Sequence, residues 1–410
     1  MRTLKGGVLI VCLISITMAS PAAINKEALD AVSQGTNQFS TSLFQAVVEE
    51  KPGNLIMSPL SAAIVLAMAG YGSCGETENQ FKKVLHIPAL ETLGLTGYQS
   101  LIDTLNNVKE NKLLLANKVF ASNTVNLKPS YKDLTEKYFR SVTQLVDFAK
   151  STEAANIINT WVSENTNDRI KEIIQSEVLS QDTALVLVNA VYFKGMWKDK
   201  FHPEFTKEMP FHINATTVKN VPTMYKQSYF KYAEHPHLNA KSIEIPYQGK
   251  ELSMVIILPN EIDGLAAVEQ KLQSTNMNDI ISQGVSCEVQ LFLPKFKIES
   301  KMDLNGPLQK MGLSEMFSRH ANFSGIANAQ LVVSKVVQKA FIEVNEEGSE
   351  AAAATGMQII SRCMLPRPIL KMRIDRPFFY SIVNVDSDSA TQDRNVIPIF
   401  TGCVLEPSSV

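Results

Sequence analysis

Residues 184–193, Ala-Leu-Val-Leu-Val-Asn-Ala-Val-Tyr-Phe, are the stretch that most constrains the fold. Every side chain in it except that of Asn189 is apolar. A strand covered on both faces has such a continuous apolar run, whereas a half-exposed strand alternates apolar with polar residues. The stretch therefore predicts a central strand inside a sheet, with Asn189 hydrogen-bonded in the interior.

The elements predicted on either side of this strand mix helices with strands. Ser58 followed by Pro59 predicts the start of a buried helix, because Ser caps helices well and Pro is tolerated in the first turn. Helices are predicted at residues 28–48, 59–69, 152–174, 264–272 and 302–312, and further strands at 113–120, 242–247, 252–258, 287–294, 378–384 and 397–405. Since the two do not alternate regularly, the predicted fold class is α+β.

The composition is that of a folded globular protein. The chain has 410 residues, of which 45% are hydrophobic and 20% charged, which excludes disordered, collagen-like and small disulfide-stapled proteins. Lys and Arg number 39 against 41 Asp and Glu, so we expect neither nucleic acid nor a membrane as a partner. No linker interrupts residues 24–410, which are predicted to form a single domain and a monomer.

The first 20 residues have the pattern of a secretory signal peptide. Arg2 and Lys5 precede an apolar run at residues 8–16, and small residues follow, with cleavage expected between about Ala19 and Ala23. The run is too short to span a membrane, so the protein is predicted to be secreted and extracellular. Two glycosylation sequons, at Asn214 and Asn322, are consistent with this prediction.

Four cysteines remain after the signal peptide is removed, namely Cys74, Cys287, Cys363 and Cys403. Their spacing matches no metal-binding pattern, and their even number leaves two disulfides possible. For Cys403, which lies in an apolar run, we expect a buried free thiol.

No catalytic or cofactor motif is found in the sequence. There is no nucleophile elbow and no phosphate-binding loop, so we predict no enzyme, no catalytic residue and no cofactor. His235 and His237 flank Pro236 and could in principle chelate a metal, but no third ligand is near in sequence. A solvated loop pair is the favoured interpretation, and no metal site is predicted.

The most informative segment is Glu346-Glu347-Gly348-Ser349-Glu350-Ala351-Ala352-Ala353-Ala354-Thr355. Helix propensity alone predicts a short surface helix here. As a strand, the segment would place Ser349, Ala351, Ala353 and Thr355 on one face, with no bulky or charged group. Such a face can enter a sheet between existing strands, and Gly348 can act as the hinge.

At this point the chain resembles the serpins, and in particular arthropod members, over nearly the whole predicted mature length. The resemblance rests on the hinge segment (residues 346–355) and on several distant motifs. These are residues 336–341 (Val-Val-Gln-Lys-Ala-Phe), Asn54 with residues 58–61 (Ser-Pro-Leu-Ser), residues 189–197 (Asn-Ala-Val-Tyr-Phe-Lys-Gly-Met-Trp) with Phe201, residues 323–326 (Phe-Ser-Gly-Ile), 376–378 (Arg-Pro-Phe) and 400–402 (Phe-Thr-Gly).

The resemblance implies a central mixed sheet of about five strands, two further sheets, eight or nine helices and an exposed reactive loop at about residues 346–375. It implies a suicide-substrate inhibitor, in which a serine protease cuts the loop, becomes joined to it as an acyl-enzyme and is trapped when the loop inserts into the sheet. A non-inhibitory relative that acts as a carrier, chaperone or storage protein is the alternative, and a hydrolase is disfavoured.

Residue roles follow from the same resemblance. Counting from Gly348 places the reactive bond at Arg362–Cys363, which implies trypsin-like proteases as covalent partners. Arg367, Lys371 and Arg373 are rival cleavage positions, although Arg367 precedes Pro368. Gate positions under the sheet are Ser58, Ser61, Asn189 and Gln338. Trp197 and Lys295 mark the insertion point, where Lys295 is expected to pair with Glu346.

Overall fold

The computed structural model describes residues 21–108, 110–249, 251–348, 369–385 and 396–407. The predicted signal peptide, residues 1–20, lies outside the described residues. So do residues 349–368, which contain most of the hinge segment and the predicted reactive bond.

The helices of the described residues surround two sheets. They are α1 (Pro21–Glu50), α2 (Pro59–Gly70), α3 (Gly75–Val84), α4 (Glu91–Asn106), α5 (Pro129–Phe139), α6 (Ser151–Asn165), α7 (Leu265–Leu272), α8 (Met277–Ser282) and α9 (Asn305–Lys310). Helix α2 begins as predicted, since the Ser58 hydroxyl accepts a hydrogen bond from the amide of Ser61, and every residue of the helix is buried.

The strands of the described residues are β1 (Leu55–Met57), β2 (Lys112–Ser122), β3 (Gln144–Val146), β4 (Leu185–Lys194), β5 (Lys207–His212), β6 (Val218–His235), β7 (Ala240–Pro246), β8 (Leu252–Pro259), β9 (Val285–Pro294), β10 (Phe296–Asp303), β11 (Val333–Val344), β12 (Leu370–Arg373), β13 (Phe378–Val385) and β14 (Val396–Val404). Together with the helices they confirm the α+β class.

A five-stranded mixed sheet has the order β10-β11-β4-β2-β3, with the predicted strand β4 at its centre. Strands β4 and β11 are parallel and hydrogen-bonded directly to each other, with Gln338 opposite Asn189 and Phe341 opposite Tyr192. Strand β2 is antiparallel to β4 on the other side. The sheet is therefore closed at the place where the family resemblance expects a further strand to enter.

The remaining strands form one continuous nine-stranded sheet, in the order β1-β14-β13-β8-β7-β6-β9-β12, with β5 paired to β6. The long strand β6 pairs with β9 along its middle and with β7 near its end. It thereby joins the two further sheets of the expected architecture into a single hydrogen-bonded ladder.

Two apolar cores hold these layers together. The larger one lies between the sheets and helices such as α1 and α2. The smaller one lies between the five-stranded sheet and α6, and it includes Ile158 and Val162 of α6 together with Val188 of β4 and Val337 of β11. Helix α6 and the segment that follows it therefore pack on one face of the five-stranded sheet.

Two predicted helices are shorter than expected. The helix predicted at residues 152–174 ends at Asn165, because Asn167 and Asp168 adopt positive φ values that a helix cannot continue through. The helix predicted at residues 302–312 begins only at Asn305. Met302 belongs instead to β10, whose buried and exposed residues alternate strictly.

Candidate functional site

The chain makes a tight turn as it leaves β11, which we call the hinge turn (residues 345–348). The amide of Asn345 donates to the carbonyl of Gly348 (2.9 Å), and the amide of Gly348 donates back to the carbonyl of Asn345 (3.2 Å). Gly348 also forms an antiparallel bridge with Met196, just beyond the end of β4. It therefore lies between the extensions of β4 and β11 and runs antiparallel to both.

Only glycine fits at position 348. Its φ angle is +135°, in a region that L-residues rarely adopt. A Cβ atom added there would lie 2.2 Å from the carbonyl oxygen of Gly195 and 2.8 Å from the amide nitrogen of Trp197, both of which are backbone atoms. The close packing of backbone on backbone therefore leaves no room for a side chain at position 348.

The segment that follows β4 holds the hinge turn in place through the backbone. The amide of Trp197 donates to the carbonyl of Glu347 (3.0 Å), and the amide of Phe201 donates to the carbonyl of Glu346 (2.9 Å). The indole N–H of Trp197 donates to the carbonyl of Asn345 (2.9 Å). The Trp197 ring is fully buried and stacks on Tyr247 with a centroid distance of 4.5 Å, so this support is rigid.

The Glu346 carboxylate of the hinge turn has two partners. Lys295 lies 3.0 Å from it, and the Thr206 hydroxyl donates to it at 2.7 Å. Burial opposes its ionisation, but the hydrogen bonds from Thr206 and Lys295 and the charge of Lys295 outweigh that effect and lower the pKa of Glu346. Sequence resemblance indicated the Lys295 partner, whereas it gave no sign of Thr206.

The Glu347 carboxylate forms a second ion pair, with Lys200. Both side chains are largely buried, with 23% of Lys200 and 21% of Glu347 exposed. The amide of Glu347 also donates to the side-chain oxygen of Asn345 (3.1 Å). The pair has no signal in the sequence, because the two residues are 147 positions apart and no local pattern connects them.

The four gate residues lie together under the five-stranded sheet, and all are fully buried. Gln338 accepts a hydrogen bond from the amide of Ser58 (2.9 Å) and donates to the Ser58 carbonyl (2.8 Å) and to the side-chain oxygen of Asn189. The amide group of Asn189 donates to Ser61. The Ser58 hydroxyl donates to the Ile399 carbonyl (2.6 Å). The network thus links α2 to both β4 and β11.

A fifth member of the network, Asn117, was not predicted. It lies on β2 directly opposite Asn189, accepts a hydrogen bond from it, and accepts another from the Ser61 hydroxyl at 2.8 Å. The available signal was a polar residue inside the apolar run of residues 113–120, which is the same signal that singled out Asn189.

The register fixes what the network would do if a strand entered the sheet. Gln338 and Asn189 are opposite each other on neighbouring strands. A strand inserted between β4 and β11 would add one strand spacing, about 4.8 Å, to their separation. The hydrogen bond between these two side chains is therefore present only while the sheet is closed.

The chain enters β12 soon after residue 369. Strand β12 is parallel to β9, with Lys371 opposite Gln290 and Arg373 opposite Phe292. Both cations also lie over the Phe292 ring, at 5.2 Å and 5.4 Å from its centroid. These two rival cleavage positions are thus part of a hydrogen-bonded strand, whereas a protease needs an accessible extended segment.

Most of the chain matches a known protein family. The family model described as serpin (serine protease inhibitor) matches residues 34–407. The chain belongs to the serpin family. The antitrypsin of Bombyx mori is 36% identical to it over 377 residues, which are 91% of this chain and 96% of that protein.

Two solved structures show how widely the fold is shared. Serpin48 of the insect Tenebrio molitor, described as highly specific, superposes on this serpin with a TM-score of 0.82 at 32% identity, covering 92% of this chain and 98% of its own. Human thyroxine-binding globulin, complexed with thyroxine, also has a TM-score of 0.82, at 26% identity with 93% and 100% coverage. The same fold therefore occurs in a protein solved with thyroxine bound, and the fold alone does not establish protease inhibition.

Several predicted site residues of this serpin cannot be placed, because they lie outside the described residues. These are Ser349, Glu350, Ala351, Ala352, Ala353, Ala354, Thr355, Arg362 and Cys363. The two sequon residues, Asn214 and Asn322, are described and exposed.

The prediction that His235 and His237 form a solvated loop pair is wrong for His235. His237 is exposed, but His235 is fully buried at the end of β6, and its Nε2 lies 2.8 Å from the Ser242 hydroxyl oxygen. Among the described residues, no three His, Cys, Asp or Glu side chains are grouped as a metal site requires. Cys403 is a buried free thiol, as predicted.

Within the part of the chain that the structure describes, no helix is both long enough and apolar enough to cross a membrane.

Proposed function

We propose that this serpin is a secreted inhibitor that traps trypsin-like serine proteases as a suicide substrate. The observation that carries the proposal is the position of Gly348, antiparallel to and between the ends of β4 and β11. If the chain continued in the same direction along the sheet, it would have to separate β4 from β11, which are now hydrogen-bonded to each other. The residues that follow have small side chains on the face that would turn inward, which lets them enter without a cavity.

In the proposed reaction, the protease serine oxygen attacks the carbonyl carbon of Arg362. The bond to the nitrogen of Cys363 breaks, the new amine takes up the proton, and an ester joins Arg362 to the protease. The carboxy-terminal part stays with the molecule, because β12, β13 and β14 belong to the nine-stranded sheet. The amino-terminal part, which carries the ester, is free to move with the hinge segment.

Insertion would then carry the protease along the sheet. At about 3.3 Å per residue, residues 349–361 would extend over roughly 43 Å as a strand. Hydrolysis of the ester needs a water molecule and a base held in exact geometry, and small displacements of these groups slow it strongly. A protease pulled against the far end of the inhibitor would therefore fail to release itself.

Three considerations support Arg362 as the residue that the protease recognises. It stands at the expected count from Gly348, its guanidinium pairs well with the carboxylate in a trypsin-like specificity pocket, and Lys371 and Arg373 lie within β12. The protein name antitrypsin of the Bombyx mori relative is consistent with this target class.

Secretion and glycosylation form part of the same proposal. We propose that residues 1–20 are removed as a signal peptide, that residues 24–410 act as one monomeric domain, and that Asn214 and Asn322 carry glycans. Amino-terminal sequencing of the exported protein and a mass shift after enzymatic deglycosylation would test these points. An unprocessed amino terminus, or no mass shift in exported protein, would contradict them.

Incubation with trypsin tests the inhibitory function. We expect a covalent complex that survives denaturing electrophoresis, and release of the peptide of residues 363–410 under denaturing conditions. Cleavage without a complex would instead support a carrier, chaperone or storage role. A released peptide that begins elsewhere than at Cys363 would overturn the assignment of Arg362.

Two substitutions on opposite faces of the expected strand test whether the segment inserts into the sheet. Ser349→Arg places a charge on the face that turns inward, so we expect cleavage to continue while trapping is lost. Glu350→Arg places the same group on the opposite face, and we expect a much smaller loss. Equal effects of the two substitutions would contradict insertion in this register.

A further inference from the structure

We propose that Lys200 is a positioning residue for loop insertion. Its ion pair with Glu347 pins the hinge turn, so that the incoming strand starts from a fixed pivot and in one register. This inference rests on the proposed inhibitory function, and it assigns a role to a pair that the family resemblance did not indicate.

Lys200 compensates the charge of one of two neighbouring carboxylates in the hinge turn. Glu346 and Glu347 are adjacent in the turn, and each has its own cation, Lys295 and Lys200 respectively. Without Lys200, the largely buried carboxylate of Glu347 would lie next to that of Glu346 without its compensating charge. Rotating the Glu347 side chain out to solvent would then lower the free energy of the turn. This rotation would disturb the hydrogen bond between the Glu347 carbonyl and the amide of Trp197.

The hinge turn provides a preformed pivot for an inserted strand. Because Gly348 already bridges both Asn345 and Met196, the turn that an inserted strand would need is present before the loop is cut. A preformed turn lowers the entropy cost of bringing the strand alongside β11, as in any hairpin. The turn therefore acts as an anchor that remains in place during insertion, and a contact that fixes it speeds insertion.

The hinge turn also sets the register of an inserted strand. A slip of one residue in a strand moves every side chain to the opposite face. With Gly348 fixed opposite Asn345, the small residues Ser349 and Ala351 turn to one face of the sheet, and Glu350 turns to the other. A slipped strand would instead direct Glu350 toward the buried side. Pinning the turn through Lys200 disfavours this register.

The test compares Lys200→Met with the charge swap Lys200→Glu/Glu347→Lys. The matched control is Lys198→Met, an exposed lysine two positions away in the same segment. The readouts are the rate of complex formation with trypsin and the fraction of inhibitor that is cleaved without trapping. A substitution that affected only folding would move the thermal unfolding midpoint and leave that fraction unchanged.

For Lys200→Met we expect insertion to slow by about two- to fivefold, the range for loss of one partly buried ion pair. The fraction of inhibitor that is cleaved without trapping should rise accordingly. The charge swap should restore much of the trapping, and Lys198→Met should behave as wild type. If wild type forms the complex and Lys200→Met traps equally well, or faster, this inference is overturned alone. If wild type is cleaved without any complex, the proposed function and this inference fall together.

Discussion

Replacing the amide group of Gln338 should destabilise the closed form of this serpin more than the form with an inserted loop. In Gln338→Met the size is kept and the hydrogen bonds are lost. The Ser58 carbonyl keeps a bond from the amide of Ala62, but the Ser58 amide and the Asn189 side-chain oxygen each lose Gln338 as a partner. A buried polar group without a partner costs about 1–3 kcal/mol, so the closed form should lose about 2–6 kcal/mol.

The inserted form should lose less. Insertion already separates Gln338 from Asn189 by one strand, so only the cost at the Ser58 amide, about 1–3 kcal/mol, is expected there. The intact protein should therefore be destabilised by about 1–3 kcal/mol more than the cleaved one. Guanidinium unfolding of both forms measures this difference, with Trp161 and Trp197, the two tryptophans of the chain, as fluorescent probes.

A control substitution separates the network from the loss of a glutamine as such. Gln309→Met changes an exposed glutamine on α9 and should leave both forms unchanged. Equal destabilisation of the intact and cleaved forms by Gln338→Met would refute the claim that insertion breaks the Gln338–Asn189 hydrogen bond. No destabilisation of either form would refute the stabilising role of the network.

The remaining predictions concern three other sites. Gly348→Ala forces a Cβ against the Gly195 carbonyl, so a trypsin titration should show that much of the inhibitor has become a substrate. Gly53→Ala, at a similar positive φ but in open space, should leave inhibition unchanged. Equal effects of the two substitutions would contradict the role of backbone packing at Gly348. Burial raises the pKa of Glu269 to about 7, so the stability that its protonated form supports is lost as the pH rises through 7. Glu269→Gln should therefore raise the free energy of unfolding at pH 8 by about 3 kcal/mol and change it little at pH 4.5. Burial, and then the charge of His237, lower the pKa of His235, so the free energy of unfolding should decrease as the pH drops below about 6.5. In His235→Gln this decrease should be smaller. Parallel pH profiles of the variant and the wild type would contradict this prediction.

The central strand and its surroundings could be predicted from the sequence because their signals are local. An apolar run with one Asn must be buried, and its Asn must find partners, so the placement of Asn189 followed directly. The Ser58 cap of α2 is a signal of the same kind. Family resemblance extended these predictions to Lys295 and Glu346, whose contact spans distant parts of the chain.

What the sequence did not reveal depends on register and on loop paths. The partnership of Asn117 with Asn189 requires the alignment of β2 on β4, which no single strand encodes. The contact of Lys200 with Glu347 requires the path of the segment after β4. His235 was interpreted as a loop residue because Pro236 follows it, but it is the last residue of β6 and pairs with Ala240, so its side chain points into the core.

The most direct test of the account is the heat resistance of the protein before and after its reactive loop is cut. A metalloprotease is suitable for the cut, since it forms no ester with the loop. If the closed sheet is metastable and accepts residues 349–361 as a strand, the cut protein should unfold at a clearly higher temperature, because a new central strand adds backbone hydrogen bonds and buried apolar area on both sides. An unchanged unfolding temperature after a verified cut in the loop would show that no strand is inserted, and would contradict the trapping mechanism.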